Sequence, residues 1–456
     1  MMMVRAVHQM PVLAGRVNQQ RGEASSAIIS DEVRTPHHEP LNAGQGLLEQ
    51  VLARENMQRA WKRVKANDGA AGVDGLNISQ TQEYLKQVWP GIRQQLEEGT
   101  YRPSPVRRVG IPKPDGSERE LGIPTVTDRL IQQALLQVLQ PLIDPTFSEH
   151  SYGFRPGRNA HEAVLAALQH VQEGYRVVVD VDLSKFFDRV NHDILIDRLR
   201  RRVDDPAIIR IIRAYLNAGI MMNGVDTKRE TGTPQGGPLS PLLANVLLDE
   251  VDRELERRGH RFVRYADDSN VYVRSLKAGE RVMKLLKRLY DKLHLQINES
   301  KSAIAGVFGR KFLGYAFWAA PKGLIKLKVA AKARETFKRK IRSLTRRTGG
   351  RSIVEVIEKL RPYVLGWRAY FALSQTPGVW RELDKWMRHR MRSLQLKQWK
   401  RGSTIYRELI RLGAKPDVAW SVAANCRRWW HNSQMLLNNV LTIAYFDKLG
   451  MPRLSS

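Results

Sequence analysis

Phe262-Val263-Arg264-Tyr265-Ala266-Asp267-Asp268-Ser269-Asn270-Val271-Tyr272-Val273 is the stretch whose reading decides the fold of this 456-residue chain. Two β-prone arms flank an acidic tip, the pattern of a hairpin. Asp favours turns by itself, so a tip with two of them is also what an ordinary turn carries. The balance shifts with Val177-Val178-Val179-Asp180-Val181-Asp182-Leu183, 85 residues before Asp267. As a strand, its period of two puts Val177, Val179 and Val181 on one face and Asp180 and Asp182 on the other. Dense apolar residues, continued by Phe186 and Phe187, mark a buried strand that delivers an acid to a site.

Carboxylates from two adjacent strands suit one chemistry well. Phosphoryl transfer uses two Mg²⁺ about 3.5–4 Å apart, held by acids. One ion acidifies an attacking hydroxyl and the other stabilises the pyrophosphate that leaves. The overall charge points to a polyanionic partner. Seventy-five Lys and Arg against 46 Asp and Glu give a net charge of +29, and an excess of this size attracts nucleic acid. It is clustered: residues 324–401 hold 22 Lys and Arg against 5 Asp and Glu, supplying +17 of the total. The single cysteine, Cys426, excludes an internal disulfide and a Cys-based zinc site, and fits a reducing cytosol. No run of 18 apolar residues is present, and Met1 to Ala14 makes a poor signal peptide. A cytoplasmic protein that spends part of its time on DNA is expected.

Along the chain, residues 1–44 lack periodicity and read as an unstructured leader. Order starts near Leu47 with helical spacing through Val64. Asn67 to Gly75 is Gly-rich, either a plain turn or a backbone cradle for phosphate. Residues 106–123 read as a hairpin turning at Pro114 to Ser117, with basic flanks at Arg107, Arg108, Lys113 and Arg119. Helices are expected over about 127–140, 191–202, 206–219 and 277–293, and from an N-cap at Ser240 to about Arg258. Short strands are expected around 311–318 and 324–329. The order is α+β. Beyond 330 the chain reads as basic helices. Tyr363, Trp367, Tyr370 and Phe371 share one apolar face, as do Leu383, Trp386, Met387, Met391 and Leu394, and both stripes read as core. Lys385, Arg388 and Arg392 are expected to face out, towards phosphate.

The segment Thr233-Pro234-Gln235-Gly236-Gly237-Pro238-Leu239-Ser240-Pro241-Leu242-Leu243-Ala244-Asn245, followed by Tyr265-Ala266-Asp267-Asp268, resembles the reverse transcriptases encoded by group II introns. Further blocks match in order: Ser151 to Arg158, Asp182 to Asp188, Phe312-Leu313-Gly314-Tyr315, and Gly366 to Phe371 in the maturase region. The resemblance covers about Leu47 to at least Arg401. It implies a right-hand polymerase, with fingers and an antiparallel palm sheet over 45–320, a helical thumb and maturase domain over 321–400, and a small helical DNA-binding region over 401–456.

Carried over by position, the resemblance makes Asp182, Asp267 and Asp268 the acids that hold two Mg²⁺. It makes Phe187 the bulky residue that bars a ribose 2′-hydroxyl, Lys113 and Arg119 the grip on the incoming triphosphate, and Gln235 a neighbour of the nascent pair. Lys acts as a point charge on phosphate and Arg as a fork. Asp180 and Asp188 are left as supporting or structural acids. Arg155 and Arg158 fit an ion pair and a phosphate contact equally. The implied partners are dNTPs, an RNA template, a DNA primer or target, and the parent intron RNA, with retrohoming as the biological setting. The tail carries Arg407, Arg411, Arg427, Arg428 and Trp429-Trp430, a stacking pair or a small helical core. No H-N-H motif with cysteine pairs follows, so the resemblance is to the endonuclease-lacking, class C type. Two other readings remain open from sequence: a domesticated relative in DNA repair or phage defence, and an RNA-binding splicing cofactor without polymerase activity.

Overall fold

A computed structural model describes residues 46–112, 118–222, 225–227, 232, 236–434 and 436–455. The expected leader 1–44 and the expected turn Pro114 to Ser117 lie outside these residues. The chain forms two compact units. The first comprises residues up to Ala163 together with Tyr175–Ala305; the second comprises Val164–Gly174 and the chain from Gly306 onward.

In the first unit, α1 (Leu47–Leu52), α2 (Arg54–Asn67) and α3 (Ile78–Glu98) precede β1 (Val106–Pro112), β2 (Glu118–Ile123) and α4 (Val126–Ile143). Most of α5 (Ala160–Gln172) belongs to the second unit. Then follow β3 (Val177–Val181), α6 (Phe186–Arg189), α7 (His192–Arg200), α8 (Pro206–Asn217), β4 (Ile220–Met222), β5 (Val225–Thr227), α9 (Ser240–Arg257), β6 (Arg261–Tyr265), β7 (Asp268–Val273), α10 (Leu276–Lys292) and β8 (Ala303–Gly306). Local chemistry sets several boundaries. Asp205 accepts hydrogen bonds from the N–H groups of Ala207 and Ile208, and Pro206 stands in the first turn, so α8 starts there. Ser275 caps α10 through Ala278 N–H, and Thr125 caps α4 through Asp128 N–H.

Two four-stranded sheets result, in the orders β2-β1-β4-β5 and β6-β7-β3-β8. The expected hairpin at 106–123 is the antiparallel pair β1/β2, and β1 also pairs in parallel with β4. In the second sheet β7 lies antiparallel to both β6 and β3. One apolar cluster joins Leu135 and Leu139 of α4, Val179 and Val181 of β3, Val246 and Leu247 of α9, and Leu286 and Tyr290 of α10. Each such large side chain removed from water contributes roughly 1.5–3 kcal/mol. The strand carrying the first acid is therefore buried, as its apolar density requires. The helix expected from an N-cap at Ser240 starts one residue earlier in role: Leu239 is the cap, and Ser240 and Pro241 fill the first turn.

The second unit holds β9 (Lys311–Phe312), β10 (Tyr315–Ala319) and β11 (Ile325–Val329), in the order β11-β10-β9. The single strand expected at 311–318 is in fact a hairpin. Leu313 and Gly314 both take positive φ, 48° and 81°, and turn the chain between Phe312 and Tyr315. Helices α11 (Ala331–Leu344), α12 (Ile353–Tyr370) and α13 (Pro377–Trp399) follow, then the shorter α14 (Gly402–Arg411), α15 (Pro416–Ala424), α16 (Trp429–Asn432) and α17 (Ile443–Lys448). Trp367 anchors their core, with Phe337, Phe371 and Trp380 rings at 4.4, 4.7 and 5.4 Å.

Two thumb-stripe expectations need correction. Trp386 leaves the apolar stripe, because Lys338, Arg342 and Arg390 all lie over its ring. Arg392 does not face out. It is 5% exposed, and its Nε donates to Leu441 O at 2.8 Å. No described helix is long and apolar enough to cross a membrane.

Candidate active site

Tyr265 pairs with Asp268, so β6 and β7 are joined by two residues, Ala266 and Asp267. Val181 at the end of β3 pairs with Ser269 of β7. In an antiparallel ladder the next opposed positions are Asp182 and Asp268, which leave the sheet together at one end. Asp268 is exposed and Asp267 half-buried, and the Asp182 side chain is 35% exposed. The three acids thus stand at one sheet end, open to solvent. Among the described residues, no three His, Cys, Asp or Glu side chains converge closely enough to form a ready-made metal cage.

The backbone of Asp182 is fixed independently of its side chain. Its N–H donates to Ser302 Oγ at 3.0 Å. Its carbonyl accepts from Asn298 N–H at 2.8 Å and from Ser302 Oγ at 3.3 Å. Leu183 bridges Ile297, and Ser184 N–H donates to Gln296 O. Lys301 Nζ lies 3.9 Å from the Asp182 carboxylate. The chain after β3 is thereby held along residues 296–302, which orients the carboxylate outward.

The turn itself is unusual. Ala266 has φ +58°, a left-handed conformation that glycine normally supplies at this place in a two-residue hairpin. Side chains that no sequence pattern singled out surround it. Arg264, 1% exposed, donates from Nη1 to Ala266 O at 2.9 Å and to Asn245 Oδ1 at 2.8 Å. Its Nε and Nη2 grip Asp252 on α9 at 2.6–3.0 Å. Burial holds the Asp252 carboxyl above its ordinary pKa, an effect that Arg264 beside it offsets only in part. Asn245 Nδ2 donates to Gly153 O at 2.9 Å. A methyl on Gly153 would fall 2.1 Å from Ala266 N, so only glycine fits against the turn. The one sequence signal was that an arginine interrupts the apolar strand of β6.

The Ser151 to Arg158 block serves the same turn. It runs beside β6, with Tyr152 N–H donating to Arg264 O and Arg264 N–H to His150 O, both at 2.9 Å. Arg155, 7% exposed, is consumed by Asp144 and by the carbonyls of Ser148 and Ser151. Arg158 pairs with Glu149. Both arginines form ion pairs, Arg155 in the interior and Arg158 with the exposed Glu149.

Other expected residues are placed as follows. Phe187 is half-buried in α6, edge-on to Phe186 at 5.0 Å. Arg119 lies in β2 opposite Ile111. Lys113 and Gln235 lie outside the described residues. Asp180 sits opposite Asn270, whose amide, in the orientation that satisfies both its ends, donates to Asp180 Oδ1 at 3.2 Å. This fits a supporting acid. Asp188 is half-buried in α6. The Gly-rich loop packs on the start of α4: a methyl on Gly72 would fall 2.6 Å from Thr125 Cα, and Arg129 Nη2 donates to Ala70 O at 2.7 Å.

In the second unit, cations gather over indoles. Beside the three at Trp386, Arg347 and Lys397 lie over Trp429 at 5.6 and 4.1 Å. Trp430 stacks on His389 at 3.7 Å. The Trp429-Trp430 pair thus lies against α13, with Trp430 still 39% exposed. Trp420 is 69% exposed.

Residues 111–317 match the family described as reverse transcriptase (RNA-dependent DNA polymerase), and residues 334–413 match the maturase-specific domain of group II introns. The chain is 38% identical to protein YkfC of Escherichia coli over 220 residues, 47% of this chain and 58% of that one. It is 38% identical to the group II intron-encoded protein LtrA of Lactococcus lactis subsp. cremoris over 195 residues, 42% of this chain and 32% of that one. An uncharacterized 91 kDa protein in the cob intron of Schizosaccharomyces pombe is 33% identical over 45% of this chain and 25% of its own. The matched stretch therefore spans a little over half of the first relative and a third or less of the other two.

Proposed function

Because the chain belongs to the reverse transcriptases and maturases of group II introns, we propose that it extends a DNA primer with dNTPs on an RNA template, at a site formed by Asp182, Asp267 and Asp268. The observation that carries this reading is the register of β3 on β7, which brings Asp182 and Asp268 off the sheet at the same end beside a two-residue turn holding Asp267. Carboxylate oxygens are the hard ligands that Mg²⁺ takes, and solvent-open acids leave positions for water and substrate phosphates. Two bound Mg²⁺ would supply an acidified primer 3′-hydroxyl and charge neutralisation at the leaving pyrophosphate.

The chain's own residues do the rest. The three acids concentrate negative charge where two cations are wanted, and the backbone bonds of Asp182 to Asn298 and Ser302 stop that acid from drifting. Lys113 and Arg119, at the hairpin of residues 106–123, are assigned the triphosphate, Phe187 the exclusion of a 2′-hydroxyl, and Gln235 the nascent pair. A rigid aromatic selects deoxynucleotides by exclusion rather than by attraction. In this scheme residues 45–320 are fingers and palm, 321–400 thumb and maturase domain, and 401–456 a DNA-binding region.

The second role is to bind the parent intron RNA and assist its splicing. The cations over Trp386 and Trp429 support it, because ordered Arg and Lys on a helical surface engage phosphate without reading sequence. The two roles separate in one experiment. Changing Asp267→Ala and Asp268→Ala together abolishes cDNA synthesis on a primed RNA template at low salt, while splicing assistance persists. Equal loss of both activities in a folded protein overturns the separation.

A further inference from the structure

We infer that Arg264 is a positioning residue for the acidic turn: with Asp252 and Asn245 it holds Ala266 in its left-handed conformation and so aims Asp267 and Asp268. The inference rests on the reading of those acids as the catalytic pair. Its basis is the set of contacts around one carbonyl. Ala266 O accepts from Arg264 Nη1 at 2.9 Å, from within the same hairpin. An alanine at φ +58° is strained, so the turn persists only where its surroundings impose it. Arg264 is itself immobile, since four of its five N–H groups are used inside the protein. Asp252 and Asn245 both project from α9, two turns apart, so a single rigid helix sets both anchor points. Asn245 then ties the assembly to Gly153 O, and Gly153 closes against Ala266 N. The turn is thus held at its carbonyl by Arg264 and at its amide side by the 151–153 backbone.

Asp252, the ion-pair partner of Arg264 at 2.6 Å, neutralises the buried guanidinium.

The test separates positioning from mere stability. Replacing a buried ion pair by apolar side chains of similar volume is often neutral for folding, whereas removing one partner is not. In the full-length protein, Arg264→Met with Asp252→Leu removes both buried charges together and is therefore expected to fold, with primer–template affinity near wild type and a thermal midpoint lowered only by the loss of the donor to Asn245 Oδ1 and Ala266 O. Its kcat for dNTP addition falls by about 10²-fold while the dNTP KM changes less than about threefold, the signature of misplaced catalytic groups. Mn²⁺ binding to the protein–primer–template complex, followed by electron paramagnetic resonance, weakens in parallel. A folded double variant with unchanged kcat and Mn²⁺ affinity overturns the inference. Where that variant does not fold, Asn245→Leu decides: it leaves the ion pair intact, and a kcat loss of about tenfold at constant KM supports positioning, whereas no loss refutes it. Asp268→Asn is run alongside. If it remains active, the reading of the acids has failed. If it is inactive while the Met/Leu variant is fully active, only the role of Arg264 has failed.

Discussion

Two hairpin turns of this protein, one in each compact unit, solve the same problem with different chemistry. Tyr265-Ala266-Asp267-Asp268 and Phe312-Leu313-Gly314-Tyr315 are both two-residue loops, and each starts with a non-glycine residue in the left-handed region. In each, a side chain holds the carbonyl of that strained residue. Arg264 Nη1 reaches Ala266 O at 2.9 Å, and Tyr370 Oη reaches Leu313 O at 3.0 Å. The first clamp is a fully buried cation backed by Asp252; the second is a neutral phenol lodged among Tyr315 and Phe371. If Asp267 and Asp268 hold cations as proposed, the acidic turn has to keep its shape while divalent cations and phosphates come and go. A charge-assisted, multiply bonded clamp is about twice as strong as a neutral one, and its planar donors fix direction as well as distance. The second turn is held by aromatic packing and one neutral donor.

The largest expected effect comes from what stands beside only one of these turns. Asp182→Asn keeps shape and removes a charge, and primer extension should fall by roughly 10²–10³-fold or more, the range for losing one preorganised electrostatic group. Thermal stability should barely move, since this side chain is solvent-open. An active Asp182→Asn enzyme would leave the two turns functionally alike. The clamps themselves come next. Arg264→Ala strands the Asp252 carboxylate in the interior and should cost about 3–5 kcal/mol in chemical denaturation. Tyr370→Phe removes one neutral donor and should cost only about 1 kcal/mol. Comparable losses in the two would mean that the ion pair adds nothing over a phenol. Between them, Gly153→Ala presses a methyl against Ala266 N and should cost about 1–3 kcal/mol, with primer extension reduced beyond the stability loss.

Much of the fold is legible in the residues themselves. Periodicity locates the strand ending at Val181, the hairpin of β6 and β7, and the helices from α7 to α10 to within a few residues, because burial of one face imposes a period the sequence must obey. The acids can be named because a charge at the end of an apolar strand is costly unless it has a task. Where local patterns mislead, a tertiary partner intervenes. Arg392 reads as an outward cation on an amphipathic helix, yet α13 is covered there, and the side chain turns inward to Leu441 O and over the Phe446 ring. Burial without a carboxylate brings its pKa down to about 10, with Arg388 adding to the effect. The strand expected over 311–318 breaks because a positive φ at Leu313 needs the distant Tyr370 to hold it, and spacing cannot signal a partner 57 residues away.

The same division applies to the site. Sequence by itself pointed to the three acids, and it determined the basic character of the helical unit and the resemblance that its ordered motifs carry, because composition, periodicity and short motifs are properties of neighbours along the chain. Only the tertiary structure decided that Asp182 and Asp268 stand at one end of the sheet, that Arg155 is used up inside the fold while Arg158 pairs with Glu149, and that Arg264, Asp252, Asn245 and Gly153 converge on Ala266. Those contacts join residues up to about a hundred positions apart. A buried polar group must find its partner somewhere in the packed interior, but nothing in its local sequence says where.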